Sequence, residues 1–246
     1  MKLYGLLGHP LSRSLSKMLF SEQFKDRDLN YLLFDYTDLN DFLDVLDNNL
    51  NLFGFNVTIP YKISIIPYLN ELDPIAKESG SVNVVSVNRD NHDQYRLIGY
   101  NTDIPGFETS LLDLPISKVR NAFILGTGGS ARTVQYVLAR KGLPCTLVSR
   151  KNSIDNTISY DQLNEVFGEN DMLINCTPAG MYDAEIPGNF DPGMMKPSNV
   201  IYDLVYNPEH TPLLEIARDI GAITKNGMEM FRNQARESWK IWGLIT

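Results

Sequence analysis

Two groups of residues in this chain have the types and spacing of chemistry. The first is Gly126-Thr127-Gly128-Gly129-Ser130-Ala131, followed further on by Ser149-Arg150-Lys151. An apolar run from Ala122 to Leu125 leads into the glycines, and Val134, Val137 and Leu138 then recur at helical spacing before Gly142. In such a strand–turn–helix unit the first glycine makes the tight turn and the second lets bare backbone approach a pyrophosphate. The third position, here Ala131, must be small for the helix to pack on the strand. The amides at the helix N-terminus then receive the phosphates. A second strand, Cys145 to Ser149, ends where an NAD site places a carboxylate for the ribose 2′-hydroxyl. Arg150 and Lys151 instead suit a 2′-phosphate, one by forking onto it and the other as a point charge. This points to NADP; the other reading of these residues is a solvated basic loop end.

The second group could handle the proton that must accompany hydride at a substrate oxygen. Lys62 follows a strand end and Pro60, where side chains commonly face a cleft, and Asp103 could hold and orient an ammonium there. On spacing alone the pair reads equally as a surface lysine and a helix cap. Ser14, Ser16 and Thr58 carry hydroxyls suited to a carboxylate, while Asn83 and Gln234 can each donate to and accept from substrate hydroxyls. Their plainer roles would be caps, a strand tie and a polar residue on a half-exposed helix. His9, His92 and His210 belong to no metal or triad pattern.

The elements that must position these groups alternate along the chain. Strands are expected at Leu3 to Gly8, Leu29 to Tyr36 and Gly54 to Thr58, with helices from about Ser16 to Lys25 and, capped by Asp38, along Leu39, Phe42, Leu43 and Leu46. Strand-helix alternation predicts a largely parallel sheet covered on both faces. Ser81 to Asn88 and Tyr95 to Tyr100, joined by a polar turn, predict an antiparallel hairpin. A helix from Ile104 to Leu112 precedes the glycine unit. Beyond it the spacing predicts a helix at 160–167, strands at 171–176 and 199–204, a helix at 212–220, a short strand at 222–224 and a last helix from Met228 to Trp242.

The 246 residues suffice for two modest domains. A formal net charge of −8 argues against a nucleic-acid or anionic-membrane binder, so any anionic ligand must meet local donors. Cys145 and Cys176 sit in apolar runs with no metal spacing and suit a reducing compartment. The opening apolar run is too short for a signal peptide and no stretch is long enough for a membrane helix, so a cytoplasmic protein is expected.

Several motifs together resemble those of the shikimate dehydrogenase family over nearly the whole chain. Gly8-His9-Pro10-Leu11-Ser12-Arg13-Ser14-Leu15-Ser16 resembles the family's opening loop, which implies that Ser14 and Ser16 bind the substrate carboxylate. Asn56-Val57-Thr58-Ile59-Pro60-Tyr61-Lys62 resembles its most diagnostic segment and implies a catalytic Lys62 and a substrate contact at Thr58. Ser81-Val82-Asn83 and Asn101-Thr102-Asp103 imply substrate binding by Asn83 and pairing of Asp103 with the lysine; Gln234 matches a glutamine that binds a substrate hydroxyl. For the cofactor the resemblance implies Gly126, Gly128, Gly129, Ser130, Ala131, Ser149, Arg150, Lys151 and Thr177. From Tyr202-Asp203-Leu204-Val205-Tyr206-Asn207-Pro208 it implies that Leu204 touches the nicotinamide and Tyr206 the substrate, with Gly227 and Met228 as further cofactor contacts.

The chain departs from the family at Arg13, Lys17, Ser149, Lys151 and Glu229, usually histidine, proline, asparagine, threonine and glycine. What the resemblance implies is an α/β protein of two domains. Residues 1–101 plus 227–246 would form a substrate domain with a mostly parallel sheet, residues 102–226 a Rossmann-like NADP domain, and the last helix would return to the first. The implied activity is NADPH-dependent reversible reduction of 3-dehydroshikimate to shikimate, by a cytoplasmic monomer or homodimer without a metal. Two alternatives remain at this point: a quinate/shikimate dehydrogenase with relaxed substrate or NAD preference, and a cofactor-binding regulator without turnover.

Overall fold

Strands buried on both faces must be apolar nearly throughout, and Leu3 to Leu7 and Ala122 to Leu125 are the two such runs that open the halves of this chain. The computed structural model describes residues 1–12, 14–90, 94–150, 157–183 and 185–246; Arg13, His92 and Lys151 lie outside them. The chain forms two compact units, one of residues 1–102 with 235–246 and the other of residues 103–234.

In the first unit the strands are β1 (Lys2–Gly8), β2 (Leu29–Asp35), β3 (Leu52–Val57), β4 (Glu71–Leu72), β5 (Val84–Arg89) and β6 (Tyr95–Tyr100). Among the described residues they form one sheet in the order β2-β1-β3-β5-β6-β4. β1 runs parallel to β2 and β3, β4 parallel to β6, and β5 antiparallel to both β3 and β6. The hairpin is present, but β5 starts at Val84 rather than Ser81. Val82 N donates to Lys62 O (2.8 Å), so this stretch holds the neighbouring turn instead of extending the strand.

Period-2 alternation divides β1 between two cores. Leu3 and Leu7 join Phe42 and Leu46 of α2 (Leu39–Asp47), while Tyr4 and Leu6 join Phe20 of α1 (Ser16–Gln23) and Trp239 near the C-terminus. Asp38 caps α2 by accepting from Asn40 N (2.9 Å). Two short helices complete the unit. α3 (Tyr61–Ser64) follows Pro60, and α4 (Pro74–Ser79) is capped by Asp73 and closed by Gly80 at φ 62°.

The second unit begins with α5 (Asp103–Ser110) and continues through β7 (Ala122–Leu125), α6 (Gly129–Arg140), β8 (Cys145–Val148) and β9 (Thr157–Ile158). It then adds α7 (Tyr160–Val166), β10 (Met172–Asn175), β11 (Val200–Asp203), α8 (Pro212–Ile220), β12 (Ile223–Asn226) and the start of α9 (Met228–Ile241). Its sheet has the order β12-β11-β10-β7-β8-β9, with parallel pairing throughout. Ile124, Ile174 and Tyr202 face α5 and α6 on one side; Phe123, Leu125 and Ile201 face α7 and α8 on the other. This is a doubly wound Rossmann-like sheet, and its order reverses between β7 and β10.

One apolar stripe on α9 serves both units by turns. Phe231, in the half that belongs to the second unit, stacks on Tyr206, with ring centroids 4.3 Å apart. Ala235 and Trp239, one and two turns later, enter the first unit's core beside Tyr4 and Phe20. The last helix thus belongs to the N-terminal unit only from Ala235 on; residues 227–234, expected there with it, fall in the second unit.

Candidate active site

In an open parallel sheet, ligands bind beyond the carboxyl ends of the strands where the order reverses. That point in the second unit lies past β7 and β10, and the glycine turn follows β7 directly. Gly126 has φ 103°, a conformation that favours glycine, and its α-carbon faces Thr177 of the loop after β10 so closely that a β-carbon would meet Thr177 Cγ2 at 3.2 Å. Gly128, the N-cap of α6, faces open space, and no side chain caps the helix; a helix N-terminus favours an anion. Gly129 and Ser130 open the helix, and Ala131, fully buried, packs into the core formed with β7. These features fit a dinucleotide pyrophosphate.

Ser149 and Arg150 stand at the end of β8. Ser149 is buried and its amide donates to Ile158 O (2.9 Å), whereas Arg150 is exposed. Both line a cavity of about 320 Å³ with Ser159, Tyr160 and Asp161 of the α7 start and with Gly188 and Asn189. An exposed guanidinium at the end of β8 is a group able to fork onto a phosphate. Lys151 is outside the described residues.

Three loops meet at the ends of β10 and β11. Asn175 Oδ1 accepts from Thr177 N (3.0 Å) and Thr177 Oγ1 (2.7 Å). Its Nδ2 donates to Ala179 O (3.2 Å) and to Asp203 Oδ1 (2.9 Å). Asp203 also accepts from Val205 N (3.0 Å) and Thr211 Oγ1 (2.7 Å). Burial pushes the Asp203 carboxyl up to about 6 against the hydrogen bonds of Thr211, Val205 and Asn175. Leu204 is held by its amide to Asn175 O (3.0 Å). Gly227 lies under it, its amide donating to Val205 O (3.2 Å), and Met228 N donates to Asn226 Oδ1 (3.1 Å). Burial, then the charge of Asp103, pushes the Tyr206 phenol up to about 12, so it stays a neutral donor. Glu229, the departure at the start of the last helix, pairs with Lys225 Nζ (2.6 Å), which also bonds Asp113.

In the first unit the site residues gather at the ends of β1 and β3. Thr58 N donates to Leu7 O (2.8 Å) and Tyr61 N to Thr58 O (2.8 Å), so the turn into α3 is fixed from both sides. Lys62 follows in α3, only 9% exposed, with Tyr61 anchored in the core through its hydroxyl to Tyr36 O (2.7 Å). Ser14 and Ser16 are half-buried and neither caps α1; the N-cap is Leu15, and Ser14 Oγ accepts from Ser16 N (3.3 Å). His9 Nδ1 bonds Asp35 Oδ1 (2.7 Å), whose other oxygen accepts from Leu11 N (3.0 Å), tying the opening loop to β2.

Asn83 is almost fully buried, and its Oδ1 accepts from Thr102 N (2.7 Å) while its amide donates to Thr102 Oγ1 (3.0 Å). The tie continues from Thr102 Oγ1 to Ser238 Oγ (3.2 Å), to Asn56 Nδ2 (3.0 Å) and from Asn56 Oδ1 to Tyr31 (2.8 Å). Asp103, the first residue of α5, and Gln234 of α9 belong to the second unit; Asp103 is 5% exposed and Gln234 Nε2 donates to Phe231 O (3.0 Å). Sequence reasoning assigned no role to Asp203, Thr211 or Ser238. The available signal was a polar side chain inside an apolar run, as in Tyr202-Asp203-Leu204.

Among the described residues no cluster of three or more His, Cys, Asp or Glu could hold a metal, and no helix is long and apolar enough to cross a membrane. Cys145 and Cys176 are half-buried and are not joined in a disulfide.

Known proteins carry the same layout. Residues 6–85 match the family described as "Shikimate dehydrogenase substrate binding domain". The shikimate dehydrogenase (NADP(+)) of Methanococcus maripaludis is 36% identical over 98% of this chain and 91% of its own. The solved shikimate dehydrogenase 1 of Peptoclostridium difficile is 30% identical, with a TM-score of 0.86 over 99% of this chain and 92% of that one. A quinate dehydrogenase of Corynebacterium glutamicum in complex with NAD superposes with a TM-score of 0.83 at 26% identity, over 99% of this chain and 94% of that one. Since the match to the methanococcal relative covers nearly the whole of this chain, and so both units, the chain belongs to the shikimate dehydrogenase family.

Proposed function

We propose that the protein catalyses the reversible, NADPH-dependent reduction of 3-dehydroshikimate to shikimate on the route to the aromatic amino acids. The observation that carries this is the place of Lys62. It is a nearly buried lysine inside the stretch that matches the substrate-binding family, together with Ser14, Ser16, Thr58 and Asn83. The first unit is the substrate domain and the second the NADP domain. Gly126, Gly128, Gly129, Ser130 and Ala131 would hold the pyrophosphate and Ser149, Arg150 and Lys151 the 2′-phosphate. Thr177, Leu204, Gly227 and Met228 would hold the nicotinamide end. When bound, NADPH supplies the hydride for the carbonyl carbon.

The serine hydroxyls and Thr58 bind the substrate carboxylate and orient the ring; Asn83, Tyr206 and Gln234 bind its hydroxyls. Lys62 donates its proton to the oxygen as charge develops there and takes it back in the reverse direction, with Asp103 as its electrostatic partner. The enzyme works in the cytoplasm as a monomer or homodimer.

Because a quinate dehydrogenase shares the fold, substrate and cofactor are tested together. Shikimate oxidation is followed at the nicotinamide absorbance with NADP and NAD in parallel and quinate as the competitor. Turnover of shikimate with NADP, and little of quinate, is expected. Preference for quinate or NAD moves the enzyme to the broader relative, and NADPH binding without turnover makes it a regulator.

A further inference from the structure

Asp203 is fully buried, yet none of the hydrogen bonds to its carboxylate comes from its own strand. Its three donors come from three separate segments: Asn175 at the end of β10, Val205 in the loop beyond β11, and Thr211 at the start of α8. Asn175 in turn holds Thr177 through both its amide and its hydroxyl. From below, Gly227 presses so closely on Leu204 that a β-carbon there would overlap the Leu204 carbonyl oxygen. The 204–206 segment is therefore fixed from one side by a carboxylate and from the other by bare backbone.

We infer that Asp203 is a positioning residue for the nicotinamide end of the cofactor, holding Thr177 and the Leu204 to Tyr206 segment in register with each other. The inference rests on the NADP-dependent reading above. A buried carboxylate that accepts from three loops does what no single loop can do for itself: moving any one of them strands a charged acceptor, which costs more than a neutral hydrogen bond. Capping α8 does not account for the arrangement, since Thr211 points its proton at Asp203 and receives Leu214 N only at 3.4 Å.

The test compares Asp203→Ala with Asp203→Asn. The asparagine Oδ1 can still accept from Asn175 and Val205, and its amide can donate to Thr211 Oγ1, so geometry is kept while charge is lost. Binding is measured for NADPH and for 2′-phospho-ADP-ribose, which lacks the nicotinamide, alongside kcat, KM and Tm. Asp203→Ala should lower NADPH affinity about tenfold and kcat at least tenfold, with affinity for the fragment within about twofold of wild type. Asp203→Asn should recover both to within about threefold.

Parallel loss of fragment and NADPH affinity would make Asp203 a general support of the fold and overturn the inference, as would an unchanged Asp203→Ala enzyme or an asparagine variant as poor as alanine. If the alanine variant does not fold, Thr211→Val removes one donor and should show the same split in smaller measure; an unsplit loss there also overturns it. A wild-type protein that binds neither NADPH nor the fragment refutes the underlying reading instead, which the binding measurements separate from failure of the Asp203 role.

Discussion

The two sheets solve the problem of gathering a site in different ways. In the second unit every strand runs the same way, and the reversal of order between β7 and β10 delivers the glycine turn, Thr177 and Leu204 to one edge by topology alone. The first unit's sheet is mixed. β3 is parallel to β1 but antiparallel to β5, so the start of β5 returns beside the end of β3 and Val57 N donates to Asn83 O (2.8 Å). Asn83 reaches the neighbourhood of Thr58 and Lys62 through individual hydrogen bonds. A one-directional sheet thus advertises its site through spacing, whereas the mixed sheet assembles its site through tertiary ties.

The sharpest way to break this comparison is to remove the chemistry from one side only. Lys62→Ala should cost about a thousandfold in turnover, within the range for a lost acid–base group, while NADPH affinity stays near wild type. Steady-state kinetics with a cofactor titration checks this. A raised KM with unchanged kcat would show that Lys62 only binds substrate and would move the proton transfer elsewhere.

The glycines separate fold from ligand within the second unit. At Gly227 an added β-carbon would run into the Leu204 carbonyl, backbone that cannot swing aside, so Gly227→Ala should cost about 3 kcal/mol by thermal or denaturant unfolding. At Gly128 nothing lies within 4 Å, and Gly128→Ala should cost less than about 1 kcal/mol in stability while weakening NADPH about tenfold. Equal effects at the two positions would mean that the open space at Gly128 is not where the pyrophosphate approaches. At the end of β8, Arg150→Ala should weaken NADP about tenfold to a hundredfold and leave NAD nearly unchanged. An equal loss for both would make Arg150 a support of the loop.

What could be read from the sequence follows the same division. The glycine turn, its helix and the strand ending at Ser149 were legible because spacing, helical period and turn chemistry all agree locally. Lys62 stood out after a strand end and Pro60, but spacing left it also readable as a surface lysine; its burial, with Tyr61 anchoring α3 on the core, depends on tertiary packing that spacing does not show. The short α4 was missed although Asp73-Pro74 and Gly80 spell its start and stop, because six residues are too few for a periodic pattern. Asp203 and Thr211 were invisible as a pair, since nothing local connects the end of a strand with a helix cap eight positions on.

The least local feature of the first unit is Ser238, and it offers the finest test of the contrast. Ser238 lies on the last helix, and its hydroxyl bridges Asn56 Nδ2 and Thr102 Oγ1, both far from it in sequence, with no exposure to water. Replacing it with alanine leaves Asn56 Nδ2 with only the Asn83 carbonyl at 3.4 Å, a long and weak contact. The cost of such a partly orphaned buried donor is about 1 kcal/mol. Ser238→Ala should therefore lower the unfolding free energy by about that amount and raise KM for shikimate a few-fold, because Asn83 is tied to Thr102 within the same network. NADPH affinity should not change, since Tyr31, Asn56, Asn83, Thr102 and Ser238 all belong to the first unit. If NADPH affinity fell together with shikimate affinity, the division between a site gathered by ties and a site gathered by topology would not hold.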